Sequence, residues 1–167
     1  NKYMLHDKEV EQIIITIKEL FIKNIKNAKE LSSLVDKYLV PQEREKKENA
    51  EYSTPYKLRR KMIDSVPEIF WTIPRKIFEP CCGKGGFLLD IIYKCMNGLE
   101  KLIPDEKNRY KFIVEECLYF ADINPMNIYI CKRLIDPDNE YKLNYYEGNT
   151  LELDIKEKFG IDSFDLI

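Results

Sequence analysis

The residues from Arg75 to Ile92, RKIFEPCCGKGGFLLDII, constrain the fold more than any other stretch of this chain. Ile77 and Phe78 read as the end of a short buried strand, Glu79 and Pro80 stop it, and Gly83, Gly85 and Gly86 make a tight turn into an apolar helix beginning near Phe87. Glycine belongs where a backbone takes positive φ and comes within contact distance of a ligand, and a helix N-terminus adds free N–H groups and partial positive charge. Such a site suits a nucleotide-like cofactor; a turn with no ligand is the alternative.

The details choose among cofactors. A phosphate-binding P-loop needs Lys-Ser or Lys-Thr after its last glycine, whereas Phe87 and Leu88 follow Gly86 here, which disfavours ATP. Laid on Gly83 and Gly85, the dinucleotide fingerprint meets Leu88 where its third glycine should be, which disfavours NAD. What remains is a loop with Glu79 at its entrance and Lys84 as its one basic residue. It fits a cofactor without phosphate and with a cationic centre, and S-adenosylmethionine has both properties.

FEPCCGKGGFLLD resembles the cofactor loop of the class I S-adenosylmethionine-dependent methyltransferases, in the D-P-x-C-G-S-G-G-F-L form of the adenine-N6 DNA methyltransferases of restriction-modification systems. The residues in register are Pro80, Cys82, Gly83, Gly85, Gly86, Phe87 and Leu88. Glu79 stands for the usual Asp and keeps its charge; Lys84 stands where Ser is common. The likeness spans about 51–167. It implies a Rossmann-like doubly wound parallel α/β sheet, incomplete in this chain and preceded by an α-helical segment, with the glycine-loop strand, a ribose strand and an adenine strand in that order.

Three further stretches match the family's order. Tyr52-Ser53-Thr54-Pro55 is similar to its (Tyr/Phe)-x-T-P element, which implies that Tyr52, Thr54 and Pro55 lie over the methionine part of the cofactor. Thr54 and Pro55 also make a good helix start, a hydroxyl N-cap with proline at N1, so capping alone would explain them. ADINP matches D-I-x-P, which assigns Asp122 to the ribose hydroxyls and Ile123 to the face of the adenine ring. Asp122 lies about twice as far beyond Gly83 as the ~20 residues usual in a dinucleotide fold, so an inserted turn has to be accommodated. An aspartate that merely caps the next helix is the alternative. Glu147-Gly148-Asn149-Thr150-Leu151 resembles G-D-T-L, whose aspartate accepts from the adenine amine; Asn149 offers an uncharged carbonyl there, or an ordinary turn.

The remaining chain is read from its residues. With 167 residues there is room for one domain with a real core, divided as a helical segment and charged linker over 1–50 and a cofactor-binding core over 51–167. Val10 to Leu39 carries a helical apolar repeat, an amphipathic cap on the core or a surface for a partner subunit or DNA; Pro41 to Ala50 is the linker. Lys57, Arg59, Arg60 and Lys61 read as a solvated face, with approach to a phosphate backbone as the sharper alternative, and Trp71 reads as core. A helix is expected from Phe87 to Met96 and another over Met126 to Ile135. KLIPDEKNRY reads as a polar connector, and strands are expected from about Ile113 to Asp122, over Tyr141 to Tyr146 and within Gly160 to Ile167.

Five cysteines, with Cys81 and Cys82 adjacent, and the single His6 make neither a disulfide framework nor a zinc site, so a reducing, cytoplasmic setting without metal is expected. No apolar run approaches the ~20 residues that cross a bilayer, and the amino end has no signal-peptide core. A net charge of −2 lacks the basic excess of a self-sufficient nucleic-acid binder.

In the family, F-D-(L/V)-I leads into (N/D)-P-P-(Y/F), which carries the chemistry. Phe164 to Ile167 matches the strand, so no catalytic residue is assigned and the catalytic segment is expected just after Ile167. The implied function is the cofactor-binding portion of an adenine-N6 DNA methyltransferase, inactive by itself, with DNA and a target-recognition domain or specificity subunit as partners. A class I methyltransferase acting on protein, RNA or a small molecule, and a non-catalytic cofactor-binding or subunit-interaction module, are the alternatives.

Overall fold

A computed structural model describes residues 52–167 together with positions 15, 37, 39, 40, 46 and 47. Ile15, Lys37, Lys46 and Lys47 are helical and Leu39 is buried; the rest of the expected amino-terminal helix and charged linker lies outside the described residues.

Three strands form a parallel sheet: β1 (Ile77–Glu79), β2 (Leu118–Asp122) and β3 (Asn144–Glu147), in the order β1-β2-β3. Phe78 lies opposite Tyr119, and Phe120 opposite Tyr145. Parallel neighbours need crossover connections, and helices supply them. Helix α1 (Tyr56–Ser65) precedes β1, α2 (Gly86–Gly98) and α3 (Glu106–Phe112) join β1 to β2, α4 (Pro125–Ile135) joins β2 to β3, and α5 (Ile155–Phe159) follows β3. On the free side of β1 the carboxyl-terminal segment returns in parallel: Leu166 bridges Ile77, Phe78 N–H donates to Leu166 O at 2.9 Å and Asp165 N–H to Lys76 O at 2.7 Å. The chain therefore leaves β1 first to one side and later to the other, and the crevice between the two directions opens at the carboxyl end of β1.

Strand alternation sorts the core onto two faces. Ile77, Leu118 and Phe120 join Leu88, Ile91 and Ile92 of α2 and Ile128, Cys131 and Ile135 of α4 on one face, where Trp71 and Ile63 complete the cluster. Phe78, Tyr119 and Ala121 point the other way and are covered by Phe159 of α5 and by Phe164. Phe78 stacks on Phe164 with ring centroids 4.7 Å apart, and Tyr119 meets Phe159 edge-on at 5.3 Å. Helices on both faces of a parallel sheet are the doubly wound arrangement expected from the sequence.

The stretch before β2 departs from expectation. Residues read as connector and early strand are helical instead: α3 covers Glu106–Phe112, and one π-helical turn continues it over Ile113–Cys117. Asp105 caps α3 by accepting from Asn108 N–H at 2.7 Å, and Arg109 is buried with Nη1 donating to Ile103 O and Pro104 O. Those bonds to a turn outweigh the polar composition of the segment. The third strand also starts later than expected, at Asn144, whose side-chain amide donates to Glu115 O at 2.7 Å.

Gly98 ends α2 against backbone: a Cβ there would lie 2.1 Å from the Trp71 carbonyl oxygen, which has no freedom to swing away. Gly98→Ala is expected to destabilise the chain by about 1–3 kcal/mol, the usual range for overpacking, in urea unfolding followed by far-UV circular dichroism.

Candidate functional site

The turns after β1, β2 and β3 meet at one end of the sheet. Gly83 and Gly85 take left-handed backbone, φ 50° and 87°, which lets the chain reverse twice in three residues and enter α2. Gly85 N–H donates to Cys82 O at 2.9 Å within that turn, and Cys82 N–H donates to Ala121 O at 2.9 Å, which fastens the turn to β2. Asp122, at the end of β2, accepts from Gly83 N–H on one carboxylate oxygen and from Asn124 N–H on the other, both at 2.8 Å. The third turn joins through Gly148 N–H to Asp122 O at 3.0 Å and Thr150 Oγ1 to Pro80 O at 2.7 Å.

Beside the glycine turn lies a cleft of about 310 Å³. Of the residues expected at a cofactor site, it brings together Tyr52, Thr54, Glu79, Cys82, Gly83, Gly86 and Phe87, and adds Ser53, Arg59, Cys81 and Lys84. Pro55, Pro80, Gly85, Asp122, Ile123 and Asn149 do not line it. Asp122 holds the turn through Gly83 N–H, Pro80 carries the carbonyl that accepts from Thr150, and Ile123 stands 61% exposed on the turn after β2.

Several local expectations are corrected. Pro55, not Thr54, takes the cap position of α1, no side chain caps that helix, and Leu58 and Arg59 N–H both donate to Pro55 O. Capping therefore does not explain Thr54, whose carbonyl instead accepts from Arg59 Nη1 at 2.7 Å. Asn149 makes the bonds of a turn: its carbonyl accepts from Leu151 N–H at 3.2 Å and its amide donates to Glu152 at 3.0 Å. Asp122 does not cap α4; Asn124 does, accepting from Met126 N–H at 3.0 Å. Lys84 turns inward, with Nζ 2.8 Å from Asn127 Oδ1.

The residue that the sequence reading placed wrongly is Arg59. Expected on a solvated face, it is 2% exposed, and Nε donates to Asp90 Oδ2 at 2.8 Å. Asp90 was the available signal, since a lone acid in the apolar run GFLLDII has to find a buried partner.

The electrostatics of the cleft centre on Glu79. Burial pushes its carboxyl up to about 7, the Cys81 N–H bond to Oε1 opposes this, and the charge of Asp122 adds to it. Burial, followed by the charges of Asp122 and Glu79, also raises the Cys81 thiol; contact with the Cys131 thiol, 3.6 Å away, and burial raise Cys82. Both shifts favour the thiol over the thiolate.

Among the described residues no group of His, Cys, Asp and Glu is placed to hold a metal, and no helix is long and apolar enough to cross a membrane. No family model matches the chain, and no curated protein matches its sequence.

A carboxyl raised in the fold favours the folded state while protonated in both states and loses that advantage as pH rises from its unfolded value, near 4.5, through about 7. Glu79→Gln is expected to flatten the fall in stability over this window and to stabilise the chain at pH 8 by up to about 3 kcal/mol, read from urea unfolding at stepped pH. Asp122→Ala should act the other way, at a loss of roughly 2–4 kcal/mol without any ligand, because it strands the Gly83 and Asn124 amides.

Proposed function

We propose that this cleft, together with the adjoining turns after β2 and β3, binds S-adenosylmethionine and that the chain is the cofactor-binding portion of a methyltransferase acting on the exocyclic amine of adenine in DNA. One observation carries most of the weight: the glycine turn after β1 is hydrogen-bonded to the acid that ends β2. This joins two of the elements that the resemblance assigns to the cofactor, at the strand ends where open α/β sheets receive ligands.

In this reading Tyr52 and Thr54 lie over the methionine part and the glycine turn comes against the cofactor backbone to backbone. Glu79 faces the cationic end. Asp122 takes the ribose hydroxyls with the lone pairs left over from Gly83 and Asn124, and the exposed Ile123 lies against the adenine ring. Asn149 meets the adenine amine with the outer lone pair of a carbonyl already held by Leu151 N–H. DNA, with a target-recognition domain or specificity subunit, is the partner this reading implies. Methyl transfer itself is assigned to no described residue.

Calorimetric titration tests the cofactor. S-adenosylmethionine and its demethylated product are expected to bind, and ATP and NAD are not. The sulfonium adds a positive charge that the product lacks, so ionisation of Glu79 should tighten the methylated cofactor selectively. Between pH 6 and 8 its affinity should rise up to about tenfold, following the ionised fraction of a carboxyl that titrates near 7, while the product changes less. Equal affinity for ATP, or no binding of either adenosyl ligand, would remove this reading.

A further inference from the structure

Arg59 stands where three parts of the cleft meet. Its side chain is 3% exposed and that of Asp90 1%. Nε donates to Asp90, one turn into α2, while Nη1 donates to the carbonyl of Thr54 in the strap that precedes α1. Between these two bonds the guanidinium crosses Gly86: a Cβ at that position would lie 2.8 Å from both Cζ and Nη1 and 3.0 Å from Nε. Gly86, unlike Gly83 and Gly85, has no positive φ, so its backbone does not call for glycine. The guanidinium does. The end of a free arginine would swing aside, but this one is held by a carboxylate and a carbonyl.

We propose that Arg59 is a positioning residue, which fixes the strap Tyr52–Thr54 above the glycine turn and thereby sets the width of the cleft at the end that the methionine part of the cofactor would enter. The identity of the ligand rests on the function proposed above; the geometry does not. A planar fork is what the task needs, because two donors held in one plane reach a helix and a strap at once. Lysine keeps the charge opposite Asp90 but is a single point on a flexible stem, and it releases the Thr54 carbonyl. Arginine also fills the space over Gly86 in a way that lysine does not.

Three measurements on the full chain test this. In unfolding experiments on Gly86→Ala, Arg59→Lys and the double variant, the alanine should be strongly destabilising beside arginine and much less so beside lysine; simple additivity would show that the guanidinium does not hold position 86. Hydrogen exchange of the ligand-free chain should be about tenfold faster in Arg59→Lys at the Leu58 and Arg59 amides, which donate to Pro55 in the first turn of α1, with β2 amides unchanged. Acceleration that is equal everywhere, or none, would reduce Arg59 to a general stabiliser. Titrated with S-adenosylmethionine, Arg59→Lys should bind about tenfold more weakly, the worth of one hydrogen bond from a charged donor. Unchanged affinity would overturn the positioning role. Should the unaltered chain bind no cofactor, the function proposal fails and exchange at the first turn still decides the strap.

Discussion

Two peptide N–H groups meeting one carboxylate hold the strand-end turns of this fold together. Asp122 accepts from Gly83 in the turn after β1 and from Asn124 in the turn after β2, so two loops that are distant in sequence become one surface. Bonds from peptide donors to an ionised acceptor are stronger than neutral ones, and this carboxylate is nearly buried, where they are less diluted by water. The left-handed glycines make the arrangement possible, since Gly83 N–H reaches Asp122 only if the chain reverses between Cys82 and Gly86. The third turn rests on this pair in turn, through Gly148 N–H and through Thr150 on Pro80.

A second buried charge organises the other wall. Arg59 and Asp90 are both withdrawn from water, and an ion pair in such a place is favourable only when its remaining hydrogen-bonding groups are used as well. The Thr54 carbonyl uses one of them. Breaking a buried pair by removing one partner typically costs about 3–5 kcal/mol, whereas replacing both partners by apolar groups can be neutral. The pair is therefore better understood as fixing where the strap lies than as holding the domain together. Glu79 is the contrasting case: among the described residues no cation pairs with it, and burial pushes its carboxyl up to about 7.

Much of this was legible in the residues themselves. The strand, glycine turn and helix over 75–92 followed from Pro80, three glycines and an apolar run, because backbone conformation and helix initiation depend on neighbours in sequence. Alternation along β2, with Leu118 and Phe120 facing one way and Tyr119 and Ala121 the other, requires only the two-residue period of a strand once helices lie on both faces. The acid at the end of β2 could likewise be picked out, since Asp122 follows an apolar strand and precedes a proline-started helix.

What the tertiary structure alone decided is where side chains with two possible fates went. Arg59 sits among Lys57, Arg60 and Lys61 and looks like one more surface cation, yet a buried carboxylate across the helix interface drew it inward; Asp90 in its apolar run calls for a partner, but nothing around residue 59 says which cation answers. Asn149 suits both a ligand contact and a turn; in the fold it bonds the Leu151 amide and Glu152. The helix over Glu106–Phe112 was hidden by polar residues, one of which, Arg109, is buried with Nη1 donating to carbonyls of the preceding turn. Sequence by itself determined the βα turns and the parallel sheet, because these depend on backbone conformation and apolar periodicity. The walls of the cleft also depend on partners thirty or more residues away, Asp90 for Arg59 and Asp122 for Gly83, and only the folded chain brings those together.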